Sequence, residues 1–388
     1  MAKIKILQGN CIDKIKELED NSIDCVVSSP PYFGLRDYGV DGQFGLEKTY
    51  QDYLANTVKI FETFKPKLKD TATIWWNVGD SYSSGSRKTT TLQTVRKPKS
   101  NEISKSKQKY LDGLIVRPPI QTSIKEKDLL MIPNRVAIAL QDAGWYIRSE
   151  IIWHKPNPMP ESVKDRPTNC HEKIWLITKS KKYYYDADAI KEPVKEISKK
   201  RVQYGLKHKH PNNIGVAIPP VNTEKMGERF CNSDGKRNKR NVWTITTKPC
   251  KEAHFATFPK DLIEPCIKAG CPEKVCVKCG KPQVKEFYRK EKYNPGYGNQ
   301  HTPKGTHKKI GGVYQKWLEE NPPQITIKPS CDCNADFVPG VVLDPFGGSG
   351  TTGIVAALNN RKSILIELNK DYIDIANKRI EKEVGLFI

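Results

Sequence analysis

Two groups of residues near opposite ends of this 388-residue chain have the types and spacing to do chemistry. The first is Ser29-Pro30-Pro31-Tyr32. It follows Ile23-Asp24-Cys25-Val26-Val27-Ser28, a run rich in β-branched residues that reads as a buried strand. Neither proline has an N–H to donate, so the pair ends any ladder or helix. The carbonyls beside them are held in stiff, extended backbone. A hydroxyl, rigid carbonyls and an aromatic ring would then stand at the C-terminal end of a strand, where open α/β sheets place ligands. Together they suit a planar group carrying an exocyclic amine. Taken alone, the four residues read better as a Pro-Pro turn with a surface tyrosine.

The second group decides between these. Val341-Val342-Leu343 reads as a strand and runs into Asp344-Pro345-Phe346-Gly347-Gly348-Ser349-Gly350-Thr351-Thr352. A helical pattern over 354–358 follows, then a strand over 364–366 that ends in Glu367-Leu368. Glycines let a backbone approach a ligand closely, and an acid about 20 residues beyond such a loop takes a pair of ribose hydroxyls. The loop has no Gly-Lys-Ser/Thr ending and no G-x-G-x-x-G, so it is neither a P-loop nor a dinucleotide loop. Its opening acid, Asp344, would repel a pyrophosphate but suits a cationic or zwitterionic ligand such as S-adenosylmethionine.

The elements that must position these groups are not consecutive. One more helix, near 371–382, follows Glu367, and two βα units cannot bury both faces of a parallel sheet. The N-terminus supplies the rest: a strand at 4–7, a helix at 12–18 and the strand before Ser29. The expected fold is therefore α/β, a Rossmann-like sheet circularly permuted in sequence. Its catalytic half comes first and its cofactor half last, with both groups at the same edge.

At this point the chain resembles the amino-methylating DNA methyltransferases of the permuted β group. These move a methyl from S-adenosylmethionine to N4 of cytosine or N6 of adenine. Ser29 to Tyr32 match the family's (Asp/Asn/Ser)-Pro-Pro-(Tyr/Phe) signature, Asp344 to Thr352 its cofactor loop, and Glu367 its ribose acid. Ile151-Ile152-Trp153-His154-Lys155-Pro156-Asn157, Glu161-Ser162 and His171-Glu172 resemble the segment between its catalytic and recognition parts. His254-Phe255-Ala256-Thr257-Phe258-Pro259 resembles a segment beside the cofactor. Members often carry Gly-Asp after the first strand, the acid reading the cofactor's adenine amine; here it is Gly9-Asn10, whose carbonyl could accept the same bond. The resemblance thus implies a cofactor site of Asn10, Asp344 to Thr352, Glu367, Leu368, Phe255 and Pro259.

The implied mechanism flips the target base from double-stranded DNA and stacks it on Tyr32. Ser29 and the Pro30 carbonyl then accept the amine's hydrogens. No cysteine stands in the motif, which disfavours C5-cytosine chemistry. Serine at its first position is more frequent among N4-cytosine members, so N4 is expected, with N6 of adenine the alternative. The family also implies a homodimer and a cognate restriction endonuclease as partners.

Composition agrees with a polyanionic substrate. The formal charge is +21, and segments 84–110 and 191–240 alone carry +7 and +8. Such concentrated charge suggests a phosphate track rather than a solvated face. Eleven cysteines without a secretion signal point to a reducing, cytoplasmic setting. Cys276 and Cys279 form a tight knuckle, and Cys331 and Cys333 a second close pair, a set suited to structural zinc; the alternative is ordinary reduced cysteines. No apolar run is long enough for a membrane span. The expected organisation is a catalytic half over 1–190 containing a basic loop at 84–125, and a recognition region at 191–250. A cofactor-side helix at 251–270, a zinc insertion at 271–335 and a cofactor half at 336–388 follow. Two other classes remain at this stage. A methyltransferase for RNA or protein amines would show itself in a substrate panel, and a non-catalytic zinc DNA-binding protein by failing to bind S-adenosylmethionine.

Overall fold

The computed structural model describes residues 3–83, 124–194, 236–248, 258–288, 320–321 and 324–385. Nearly all of the expected basic loop, most of the recognition region and Phe255 lie outside these residues.

The chain begins with β1 (Ile4–Gln8), α1 (Cys11–Lys16), β2 (Ile23–Ser28), α2 (Tyr50–Phe64) and β3 (Leu68–Val78). It continues with α3 (Ile132–Asp142), β4 (Tyr146–His154) and β5 (His171–Thr178), the short β6 (Glu192–Pro193) and β7 (Lys236–Arg237), and β8 (Val242–Thr244). Then come α4 (Lys260–Gly270), β9 (Lys274–Cys276), β10 (Gln283–Tyr288), β11 (Gln324–Pro329) and β12 (Phe337–Pro339). The last elements are β13 (Val341–Asp344), α5 (Thr351–Leu358), β14 (Lys362–Glu367) and α6 (Lys370–Val384).

Eight strands form the central sheet in the order β1-β14-β13-β2-β3-β5-β4-β8. The pairs from β1 to β3 are parallel, β5 runs antiparallel to both β3 and β4, and β8 adds parallel to β4. Strands from the end of the chain thus sit between its first two, and β13 lies directly beside β2. The pattern of the buried strands explains the layers. Along β3, Ile74, Trp76 and Val78 enter one core with α1, α2 and α3. Trp75 points to the opposite face, near Tyr185 and Trp243. Likewise Ile364 and Ile366 of β14 join the first core, while Leu365 packs with Ile354, Ile380 and Val384 of α5 and α6. This alternation is what a sheet covered by helices on both faces requires. No helix among the described residues is long and apolar enough to cross a membrane.

The chain divides into two compact units. The first, Met1–Asp186, Arg240–Gly280 and Asp336–Ile388, holds the sheet and the small β9–β12 pair. The second, Ala187–Lys239 and Lys281–Ala335, holds the antiparallel pairs β6–β7 and β10–β11. The expected boundary at 250 therefore moves to 240. β8 extends the main sheet, its Trp243 is buried, and Trp153 donates from its indole to the Ile245 carbonyl at 2.8 Å. Three strand-forming residues inside a basic stretch were too short a signal to separate from it.

Candidate active site

β2 is buried along its whole length and delivers Ser29-Pro30-Pro31-Tyr32 at its C-terminal end. The Pro31 carbonyl accepts from the Tyr53 hydroxyl of α2 at 3.3 Å. Among the described residues, the Pro30 carbonyl accepts from none. The Tyr32 ring lies against Gly79, just past β3, where a Cβ would stand 2.5 Å from ring atom Cε2. Its hydroxyl donates to Glu172 Oε2 at 2.6 Å and lies 3.1 Å from Ser29 Oγ. Asn77, buried on β3, donates from Nδ2 to Tyr32 Oη at 2.8 Å and to Glu172 Oε2 at 2.9 Å. Lys155 Nζ, seated 4.4 Å from the Trp153 ring centroid, pairs with the other carboxylate oxygen of Glu172. Burial first, and then the Glu172 carboxylate, push the Tyr32 phenol well above its usual range.

Asn77, Lys155 and Glu172 were assigned no role from sequence. Their signal was modest: an asparagine in the apolar run over 73–78, and two charges in a family-like segment. Asp80, just past β3, caps the next helix. Its Oδ1 accepts from the Ser81 and Ile132 amides, the latter opening α3, and burial raises its pKa.

The glycine loop is built beside this motif. Asp344 ends β13 fully buried. Its Oδ1 accepts from the Ser28 hydroxyl at 2.6 Å and from the Phe346 amide at 3.1 Å, and its Oδ2 from the Thr352 hydroxyl at 2.6 Å. Desolvation lifts its carboxyl from the ordinary 3.8 to about 6. The acid expected to face a cationic ligand is thus hydrogen-bonded within the chain, tying the loop to the residue before Ser29. Arg379 of α6 donates to the Ser349 carbonyl and to the hydroxyls of Ser349 and Thr351 at 2.6–3.0 Å, fixing the far side. Phe346 packs between Phe44 and Trp76. Gly347 fits because a Cβ there would meet Leu365 at 2.9 Å, and Gly350 takes a φ of +81° to open α5.

Glu367, at the end of β14, accepts from the Gly348 amide on Oε2 and the Asn369 amide on Oε1, each at 2.8 Å, and burial raises its pKa. A carboxylate has about four lone-pair sites, so both oxygens keep capacity for a ligand. Leu368 follows it, half-buried. Asn10 caps α1, its Oδ1 accepting from the Ile12 amide at 2.9 Å, and Pro259 is buried just ahead of α4. Cys276, buried, and Cys279, exposed, stand in the first unit, and Cys331 and Cys333, both half-buried, in the second. Cys271 is fully buried in the sheet unit, with its thiol pushed well up by desolvation.

A parallel sheet with a glycine loop and a Ser-Pro-Pro-Tyr turn at adjoining strand ends defines a group-transfer enzyme of the methyltransferase type. A family model for N6/N4 DNA methylases matches residues 23–278 and 326–378, and the chain belongs to that family. It is 36% identical over 378 residues to the Type II methyltransferase M.Cfr9I of Citrobacter freundii, spanning 97% of this chain and 88% of that protein. It is 35% identical over 376 residues to M.SmaI of Serratia marcescens, spanning 97% and 90%. The fold matches that of the PvuII DNA methyltransferase, named as cytosine-N4-specific, with a TM-score of 0.50 and 15% identity over 100% of this chain and 92% of that one. The protein is a DNA methyltransferase of the N4/N6 class.

Proposed function

We propose that this chain transfers a methyl group from S-adenosylmethionine to N4 of a flipped cytosine in double-stranded DNA, as the modification enzyme of a type II restriction–modification system. One observation carries the reading: the end of β2 presents two acceptors for the two hydrogens of an amine, the Pro30 carbonyl, which has no partner among the described residues, and Ser29 Oγ, whose hydroxyl hydrogen is directed at Tyr32 and which keeps a lone pair beside a long 3.4 Å contact from Asn77 Nδ2. A base amine is a poor nucleophile because its lone pair is delocalised into the ring. Two acceptors fixed in rigid backbone draw its hydrogens out of the ring plane and turn the lone pair towards an electrophile. Tyr32, braced by Gly79 and Glu172, supplies the stacking face.

The residues of the glycine loop fit an adenosyl ligand. Glu367 would hold the ribose hydroxyls, and the backbone of Gly347 to Gly350 would lie against the rest. Asn10, Leu368, Phe255 and Pro259 complete the proposed site by family resemblance. When bound, S-adenosylmethionine supplies a methyl already activated by its sulfonium, so no nucleophilic side chain is needed. The neutral Ser29 supports cytosine over adenine, and the PvuII enzyme that shares the fold is named for that base.

Ser29→Ala should lower turnover roughly 100-fold with little change in S-adenosylmethionine affinity, whereas Glu367→Ala should weaken that affinity first. Radiolabelled methyl transfer and calorimetry separate the two effects. Nucleoside mass spectrometry of DNA from an expressing strain reads the product. N6-methyladenine without N4-methylcytosine would reverse the choice of base.

Two close pairs of thiols, Cys276 with Cys279 and Cys331 with Cys333, suit tetrahedral zinc, which takes four thiolates at about 2.3 Å. Metal analysis of the purified protein should find one zinc per chain, lost on replacing Cys276 and Cys279 with Ser. A homodimer and a partner endonuclease follow from the family resemblance, and sedimentation tests the first.

A further inference from the structure

We infer that Glu172 and Asn77 are positioning residues for the transfer: they orient a hydrogen-bond chain that makes Ser29 a pure acceptor and carries the amine's surplus proton away. The inference rests on the methyltransferase reading above and assigns the far side of the same site.

The direction of the chain follows from which atoms can donate. The Glu172 carboxylate only accepts. Tyr32 Oη lies 2.6 Å from it, so the phenol O–H is committed to Glu172. Asn77 places its amide nitrogen 2.9 Å from Glu172 Oε2; the flipped amide would set two oxygens against each other at that distance. This orientation holds although it leaves Asn77 Oδ1 buried without a partner among the described residues. The same nitrogen donates to Tyr32 Oη at 2.8 Å. Tyr32 Oη therefore gives its only hydrogen to Glu172 and accepts from its other neighbours. The Ser29 hydroxyl, 3.1 Å away, must point its hydrogen at the tyrosine. Asn77 Nδ2 makes a long contact of 3.4 Å to one lone pair of Ser29 Oγ, and the other is left for the substrate. Lys155, paired with Glu172 Oε1, holds the terminal carboxylate in place.

The proton balance closes on this chain. When the amine gains its methyl it becomes a cation with one N–H too many. That N–H bond breaks, and its proton passes to Ser29 Oγ as the serine's own proton moves to Tyr32 Oη. The tyrosine's proton moves to Glu172 Oε2, and the resulting acid later releases it to water. No oxidant or further reactant is involved. The raised pKa of Tyr32 fits a phenol that relays protons while staying neutral.

The test is single-turnover transfer of tritiated methyl groups from S-adenosylmethionine to unmodified bacterial chromosomal DNA, using the full chain in H2O and in D2O. Glu172→Gln and Tyr32→Phe each break the chain while keeping shape. Both should lose roughly 100-fold or more in rate, while S-adenosylmethionine and DNA affinities stay within two-fold. The wild-type single-turnover rate should fall in D2O because protons move along the chain, and that solvent isotope effect should shrink in Glu172→Gln. A Glu172→Gln protein with wild-type rates, or one slowed with its isotope effect intact, would overturn the inference. Wild-type protein that methylates nothing in this DNA would overturn the reading beneath it, and the inference with it.

Discussion

Tyr32 keeps its place because residue 79 carries no side chain. Gly79→Ala would set a methyl 2.5 Å from the ring, closer than carbon atoms approach, so the ring must move. Displacement of a reacting surface by about 1 Å can cost roughly 100-fold in rate. Single-turnover transfer should show that loss, and titration with S-adenosylmethionine should show almost none. Asp344 allows a prediction of the opposite kind, read in stability. Its folded pKa, about 6, lies above its ordinary 3.8, so the folded chain holds this proton more tightly than the unfolded one. The group's contribution to stability is therefore present at low pH and lost as pH rises through about 6. Asp344→Asn cannot titrate. The stability difference between wild type and variant should move in the variant's favour by about 1–3 kcal/mol from pH 4.5 to 7.5. Urea unfolding at the two pH values measures it. Movement the other way would mean that the hydroxyls of Ser28 and Thr352 favour the anion more than burial disfavours it.

At the scale of elements, the end of β3 does two jobs: it presents Asn77 and Gly79 to the site, and through Asp80 it caps α3. Asp80→Ala should cost about 1 kcal/mol, and Asp80→Asn, which can still accept from the Ile132 amide, clearly less; denaturant midpoints would rank them. The strands bearing Ser29 and Glu367 were legible because prolines, glycines and β-branched runs mark their own ends. β3 has a strand-like apolar run only over 73–78, because Lys69, Asp70 and Thr71 hide the beginning of the strand. α2 carries no motif, although Tyr53, Thr57, Ile60, Phe61 and Phe64 recur at helical spacing and are buried. Asn77 and Glu172 stand 45 and 140 residues from Tyr32. Only the pairing of β3 with β5 brings them to it, and no local pattern encodes such a register. Asp344 was found, but the hydroxyls of Ser28 and Thr352 that turn it inward became visible only once β13 lay beside β2.

For the whole molecule, charge is the lever. Two segments hold +7 and +8 of a formal +21. If 6–10 phosphates are contacted, affinity for a short duplex should fall about 10³–10⁵-fold between 50 and 200 mM salt. Replacing Arg87, Lys88, Arg96 and Lys97 with Gln should flatten that slope by roughly one unit per lost contact, leaving S-adenosylmethionine affinity unchanged. Fluorescence anisotropy over a salt series measures both.

The order of strands has a consequence in time. β13 and β14 are made long after β1 and β2, yet they fill the gap between them. A growing chain can therefore hold Ser29 in a half-built sheet but has no donor loop to set beside it until β13 and β14 have left the ribosome. A polypeptide interrupted before β13 would be inert, and the gap beside β2 would be open to the absent strands supplied from elsewhere. Two separately expressed pieces, divided between β11 and β12, should recover methyl transfer when mixed, while neither piece alone transfers any.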